Sequence, residues 1–141
     1  MKKLFYSFAV VALLGASSCS KETSTLNTLH GTWRLESSLD DTGILEVNTG
    51  NCTYEELITF FTCAAKDQSD CGGTTKTTSV CTVLGATTTT INGGTFSYSV
   101  FDKKQLVLAG TYYEIESISS KELKFHNVRT PKATQTYSKQ K

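Results

Sequence analysis

The sequence predicts an all-β protein whose antiparallel strands follow one another along the chain as a meander. Two observations lead to this prediction. Apolar and polar residues alternate with a period of two in most segments after residue 30, the pattern of strands that bury one face. The stretches between these segments are short and rich in Gly, Asn, Asp and Ser, as hairpin loops are.

The first strand is predicted at 31–39. In this segment Trp33, Leu35 and Leu39 occupy odd positions, and the residues between Trp33 and Leu35 and after Leu35 are polar. The sequence Asp-Asp-Thr-Gly at 40–43 then has the composition of a turn.

The segment 54–66 is compatible with two structures. Residues 53–56 have the form of a helix capping box, and apolar residues recur after them at helical spacing. Residues 57–62, however, are rich in β-branched and aromatic side chains, which favours a strand. A strand is the preferred interpretation, and an amphipathic helix is the alternative.

Alternation continues in the second half of the chain. The Thr-rich stretch 74–95 is interpreted as an edge strand in preference to a low-complexity linker, because apolar residues flank it. Further strands are predicted around 96–100, 106–108, 113–115, 123–125 and 133–137, the last after Pro131. Hairpin loops are expected between them, at 92–94, 102–104, Gly110 and 119–121.

The four later cysteines, Cys52, Cys63, Cys71 and Cys81, predict two disulfides. A zinc site is the less favoured interpretation, because the cysteines form no C-x-x-C pair and the sequence has only 2 histidines. Three pairings are open. The nested one, Cys52 with Cys81 and Cys63 with Cys71, is favoured because opposed residues of an antiparallel hairpin have a nearly constant sum of residue numbers, and the two sums differ by one.

Residues 1–18 are interpreted as an export signal, which is removed. Two lysines precede an apolar run that is too short to span a bilayer. The small residues leading into Cys19 resemble the lipobox of bacterial lipoproteins, which implies cleavage before Cys19 and attachment of lipid to its thiol. Lipidation of Cys19 also accounts for the odd cysteine among the 5 in the chain.

The polar residues 19–29 are predicted to form a lipidated, flexible tether, and 30–141 a single domain. The signal peptide takes 2 of the 14 basic residues and none of the 13 acidic ones, so the mature chain is close to neutral. Because no Lys/Arg cluster is present, no nucleic-acid partner is expected.

The segment Gly-Thr-Trp-Arg-Leu at 31–35 resembles the G-x-W opening strand of lipocalin-like proteins. Residues 51–60 resemble the cysteine and I-T-F strand of small bacterial lipocalin-like lipoproteins, and segments between 94 and 125 repeat that family's strand motifs. The resemblance implies an up-and-down β-barrel or half-open barrel of about eight strands. It also implies that Trp33 closes one end of the barrel, with Arg129 packed over it.

Such a barrel is filled by side chains or holds one small ligand. The expected function is that of a bacterial envelope protein, anchored by its lipid to the outer membrane, that binds a small hydrophobic ligand in the barrel. The alternative is a protein-interaction or inhibitor module with a filled barrel, whose partner is an envelope or external protein. The residues predicted to face the barrel interior and to bind the ligand are Leu35, Phe60, Tyr98, Leu108, Tyr113, Ile115, Leu123 and Phe125.

An enzyme is not expected, and neither a cofactor nor a metal is predicted. The chain has no nucleophile elbow and no zinc-protease motif, and its two histidines, His30 and His126, are far apart in sequence. The carboxylate pairs Glu55/Glu56 and Glu114/Glu116 are interpreted as charges that face the solvent. A perturbed carboxylate beside His126 in a pocket would indicate catalysis instead.

Overall fold

The computed structural model describes residues 21–44, 51–64, 68 and 71–141. The export signal and the lipid-attachment site predicted at Cys19 lie outside the described residues. Most of the short loop between Cys63 and Cys71 lies outside them as well.

Eight antiparallel strands form a closed up-and-down barrel, in which each strand pairs with the next and the last pairs with the first. The all-β meander predicted from the sequence is therefore confirmed, and so is the eight-stranded barrel that the family resemblance implied. The strands are β1 Gly31–Ser38, β2 Cys52–Phe60, β3 Gly72–Val83, β4 Ala86–Phe101, β5 Gln105–Leu108, β6 Thr111–Ile118, β7 Glu122–Asn127 and β8 Thr130–Lys139.

The ambiguous segment after residue 53 is a strand and not a helix. Strand β2 pairs with β3 without interruption from Cys52 opposite Cys81 to Phe60 opposite Gly73. Because the register is constant, the cysteine pair that the residue sums predicted lies face to face. Disulfides join Cys52 to Cys81 and Cys63 to Cys71. The nested pairing is confirmed, and it uses all four of these thiols.

Strands β3 and β4 form a hairpin much longer than its neighbours. Its two-residue turn is Leu84-Gly85, with φ of 51° and 81°, as a turn that matches the twist of a hairpin requires. The Thr-rich stretch is therefore strand, as predicted. Its β3 part is paired on both sides up to Cys81, whereas residues 86–95 of β4 pair, among the described strands, with β3 alone and form an edge, as predicted. All side chains from Thr82 to Thr95 are exposed, so this part of the hairpin extends beyond the packed barrel.

The loop predicted at 92–94 is wrong, because these residues lie inside β4. Glycine is required there for close approach between strands and not for a turn. A Cβ atom on Gly93 would lie 2.9 Å from the carbonyl oxygen of Thr75. The same reason applies to Gly73, where a Cβ atom would lie 2.2 Å from the carbonyl oxygen of Thr59.

The segment assigned to a flexible tether is corrected in part: Lys21–Leu29 forms an α-helix, α1. The helix contacts β4 and β6, and Leu26 and Leu29 are buried in the barrel core. The folded unit thus includes residues before His30. Two leucines three positions apart are too few to give a recognisable helical pattern, yet they lie on one face of a helix and anchor it.

Helix α1 covers the end of the barrel where Trp33 lies. The indole of Trp33 is fully buried, and its Nε1 donates a 2.7 Å hydrogen bond to the carbonyl oxygen of Leu29. The prediction that Trp33 closes the barrel end is therefore consistent with its position. The prediction for Arg129 is wrong: Arg129 is exposed beyond the opposite end of β8, and the ammonium of Lys139 lies 4.9 Å from the Trp33 ring centroid.

Lys139 also joins the helix to the barrel. Its ammonium donates a 2.8 Å hydrogen bond to the carbonyl oxygen of Thr28, close to the end of α1. A cation at the C-terminal end of a helix is favoured by the helix dipole as well as by the free carbonyl groups there. One side chain of β8 therefore contacts both the indole and the helix that cover this end.

Candidate functional site

A cavity of about 380 Å³ opens at the end of the barrel opposite to α1. This volume is within the range of small-molecule sites. Its walls come from every strand except β1, in keeping with its position at the mouth of the barrel. The lining residues are Glu56, Ile58, Thr75, Phe96, Leu108, Ala109, Thr111, Tyr113, Phe125, Gln135 and Tyr137.

The alternation of each strand decides which side chains reach the cavity. On β2, Ile58 and Phe60 face the barrel interior, so Glu56 two residues earlier faces it as well. On β8, Gln135 and Tyr137 share the inner face in the same way. The polar residues Glu56 and Gln135 lie at the mouth of the barrel, where each strand extends beyond the packed core.

The structure divides the eight predicted interior residues into two layers. Tyr98, Phe60, Ile115 and Leu123 are buried in the core below the cavity, and Leu35 packs against that core. The three that line the cavity are Leu108, Tyr113 and Phe125.

The sequence analysis missed several lining residues, of which Glu56 is the most important. It was grouped with Glu55 as a solvent-facing charge, but only Glu55 is exposed on the outer face. The period of two on β2 was the signal that separates them, because Glu56 has the same parity as Ile58 and Phe60. Tyr137 was included in the last predicted strand without being assigned to the interior.

The carboxylate of Glu56 accepts hydrogen bonds from two phenols. The hydroxyl of Tyr137 donates to Oε1 at 2.8 Å, and the hydroxyl of Tyr54 donates to Oε2 at 3.2 Å. Tyr137 is only 2% exposed, so its hydroxyl depends on a protein acceptor. Glu56 supplies that acceptor from β2, which is separated from β8 by β1 alone.

Burial raises the pKa of Tyr137 well above its ordinary value, and the negative charge of Glu56 raises it further. The pKa of Tyr113 is raised by the same two causes, with burial the larger. Both phenols therefore keep their protons at neutral pH. Tyr137 remains a hydrogen-bond donor, and Glu56 is the source of negative charge that both rings experience.

Three aromatic rings form one side of the cavity. The rings of Phe125 and Tyr137 are stacked with centroids 5.5 Å apart, and Tyr113 meets Phe125 edge to face at 5.2 Å. Phe96 lies on another wall and packs edge to face against Phe60 at 5.6 Å. The stacked and edge-to-face contacts hold these rings in fixed positions, so the walls of the cavity are preformed.

A second group of charged residues lies on the outer surface. The carboxylate of Glu116 is 2.5 Å from the ammonium of Lys124 and 3.0 Å from Nδ1 of His126. The hydrogen bond from Lys124 is the main reason that the pKa of Glu116 is lowered, and His126 contributes. Lys124 and His126 flank the inward-facing Phe125, so this group faces away from the cavity.

This outer group does not meet the condition set for catalysis, because the perturbed carboxylate beside His126 is not in the cavity. Among the residues that the structure describes, no three His, Cys, Asp or Glu side chains are grouped so that they could hold a metal ion. Within the same residues, no helix has both the length and the hydrophobicity to cross a bilayer.

Comparisons of the chain with protein-family models, with curated proteins and with solved structures found no match. The likeness to lipocalin-like proteins therefore depends on the strand motifs and on the barrel topology.

Proposed function

We propose that this protein is a lipid-anchored, lipocalin-like lipoprotein of the bacterial envelope that binds one small, largely apolar molecule in the mouth of its barrel. The observation that carries the proposal is the open cavity of about 380 Å³ with its aromatic and aliphatic walls. A barrel whose only role was structural would gain stability if apolar side chains filled this space, since its apolar walls would then be removed from water.

The closed end supports the same function. Trp33, Leu29 and Phe60 are each fully buried, so a ligand has access from one side. Below the cavity the core is continuous, and it provides a rigid floor. A preformed site reduces the conformational entropy that binding has to overcome.

The anchor is supported by the sequence of the first 22 residues. Several acyl chains hold a protein on a membrane stably, whereas one chain does so only marginally. We expect Cys19→Ala to move the protein from the membrane fraction to the soluble fraction. Persistence of this variant in the membrane fraction would contradict the lipoprotein assignment.

Ligand binding is tested with native mass spectrometry of the full protein after extraction in a mild detergent. We expect an additional mass that organic solvent removes. A Leu108→Trp variant should lose it, because the indole would occupy the cavity. The matched control is Val107→Trp, which alters the preceding residue of β5, on the outer face of the barrel. This variant should still bind the ligand.

The proposal is wrong if the wild-type protein carries no additional mass and also fails to bind a neutral fluorescent probe such as phenylnaphthylamine. It is also wrong if the two tryptophan variants bind that probe equally well. Thermal unfolding of both variants shows that they are folded before binding is compared.

A protein-interaction or inhibitor module is the second candidate. It is favoured by the β3–β4 hairpin, whose tip carries the exposed side chains of Val83 and Leu84 and is joined to β2 by the Cys52–Cys81 disulfide. Replacement of both tip residues by Ser should leave ligand binding unchanged. If this variant lost function in the cell while Leu108→Trp kept it, the second candidate would replace the first.

A further inference from the structure

We infer that the ligand of this cavity carries a protonated amine, which pairs with Glu56 while its apolar part packs against the aromatic walls. The inference rests on the proposed function and specifies the chemical class of the ligand. It follows from the charge of Glu56, from the hydrogen bonds that this carboxylate makes, and from the chemistry of the walls around it.

The charge of Glu56 has no counter-ion in the described part of the protein. The cavity is lined by no Lys, Arg or His side chain. Two other carboxylates do have a cationic partner: Glu36 is 3.0 Å from the guanidinium of Arg34, and Glu116 is 2.5 Å from the ammonium of Lys124. The segment 45–50, which leads into β2, contains no basic residue in its sequence.

The need of Tyr137 for an acceptor does not explain a charge at this position. A glutamine at residue 56 would accept the same hydrogen bond without desolvation of a carboxylate. Each oxygen of Glu56 uses one of its acceptor positions, for Tyr137 and for Tyr54. Each therefore keeps a further position with which to accept a hydrogen bond from a ligand.

The walls suit an organic cation. Tyr113, Phe125, Tyr137 and Phe96 surround the site of negative charge, and aromatic rings attract ammonium groups through their negative faces. The rings also cover the apolar part of such a ligand. An ammonium in this position is paired with a carboxylate and stays close to the open mouth, so the cost of removing it from water is limited.

Other charged ligands fit less well. Calcium and magnesium require about six oxygen ligands, whereas the cavity offers one carboxylate, and no His or Cys among the described residues lines it for a softer metal ion. An anion would be repelled by Glu56 and would find no cationic side chain among the lining residues. A neutral ligand of the same shape would bind, but it would leave the carboxylate without a counter-ion.

The experiment compares three probes that share one aromatic ring and differ in the head group: phenethylamine, phenethyl alcohol and phenylpropionate. Isothermal titration calorimetry of the full protein at neutral pH measures the dissociation constant of each. We expect the amine to bind about tenfold more tightly than the alcohol, a difference of about 1.4 kcal/mol, and the anion to bind most weakly.

The Glu56→Gln variant should lose the preference for the amine and keep its affinity for the alcohol. Glutamine preserves the size of the side chain and an acceptor for Tyr137. The matched control is Glu55→Gln, which removes the same charge from the adjacent, outward-facing position and should keep the preference. A Tyr54→Phe variant, which retains the carboxylate, should also keep it.

The outcomes separate this inference from the proposed function. Binding of the amine and the alcohol with equal affinity, or a preference for the amine that persists in Glu56→Gln, would overturn the inference and leave the cavity as a site for neutral molecules. Failure of all probes to bind, together with failure of phenylnaphthylamine, would instead overturn the proposed function.

Discussion

At the end of the barrel covered by α1, large apolar side chains meet and exclude water. Leu29, Trp33 and Phe60 are all fully buried there, and the one polar atom of the indole is paired with a backbone carbonyl. At the opposite end the inner faces of the strands carry Glu56 and Gln135 together with aromatic rings, and the space between them is open.

The difference shows how one repeating pattern yields both a core and a site. Each strand places every second residue inside the barrel, so the residue type at successive inner positions decides whether that layer closes. On β2 the inner positions change from Phe60 and Ile58 to Glu56 as the strand leaves the core. The closed end is therefore packed with apolar side chains, whereas the open end carries polar groups around the cavity.

The largest expected effect is on the closed end. Trp33→Ala should lower the free energy of unfolding by about 3–5 kcal/mol, because it removes the largest buried side chain and leaves a cavity beneath α1. Leu108→Ala, at the partly exposed mouth, should cost less than about 1.5 kcal/mol. Denaturation in guanidinium chloride, with the disulfides intact, measures both.

Equal losses for these two variants would mean that the ends do not differ in their contribution to stability. Phenethyl alcohol binding provides a second readout. Leu108→Ala should change it, whereas a folded Trp33→Ala protein should bind with nearly unchanged affinity.

The second effect concerns the two disulfides. Cys52→Ala combined with Cys81→Ala should cost about 3–4 kcal/mol, as the chain-entropy model gives for a bridge that spans 29 residues. The bridge also joins β2 to the long hairpin next to the cavity. We therefore expect the double variant to weaken binding of the amine probe.

The two disulfides should also differ in how readily a reductant reduces them. Cys52 is exposed, whereas Cys71 of the other bridge is 1% exposed and lies in the core. Access of the reductant should therefore lead to reduction of Cys52–Cys81 first. Alkylation followed by peptide mass spectrometry measures the order, and simultaneous loss of both bridges in the folded protein would contradict it.

The smallest expected effect concerns Glu116 on the outer surface, which is paired with Lys124, in contrast to Glu56 in the cavity, which has no counter-ion among the described residues. The pKa of Glu116 in the folded protein is lowered from 4.5, mainly by its hydrogen bond with Lys124. The stabilisation by this charge is present above pH 4.5 and is lost as the pH falls through the lowered pKa. Glu116→Gln should thus reduce the loss of stability in this acidic range, measured by thermal unfolding at a series of pH values.

Lys124→Met should reduce the acid dependence in a similar way, because it removes the main cause of the lowered pKa. The double variant should show little further change, as expected for two groups that act together. Additive effects would mean that Glu116 is stabilised mainly by its other partners, His126 and Thr134.

The sequence predicted the strand architecture and the disulfides well, because both depend on local or nearly local patterns. A period of two identifies a half-buried strand without knowledge of its partner, and the β-branched and aromatic composition of residues 57–62 predicted β2 correctly against the helical alternative. The nested cysteine pairs followed from the constant register of a hairpin, which is confirmed from Cys52 opposite Cys81 to Phe60 opposite Gly73. The period of two also predicted correctly that Leu108, Tyr113 and Phe125, which line the cavity, face the barrel interior.

The sequence pointed to Trp33 at the closed end, but it did not locate the groups that cover Trp33 or the open end of the barrel. Whether Leu26 and Leu29 belong to a tether or to a helix depends on the apolar surface that the barrel presents to them. The cation over Trp33 is Lys139 and not Arg129, because the pairing of β8 with β1 places Lys139 opposite Trp33. Glu56 becomes a cavity residue only when seven strands form a wall around it. Local patterns determine which face of a strand is buried, whereas the depth of each residue in the barrel depends on strand register, which only the tertiary structure establishes.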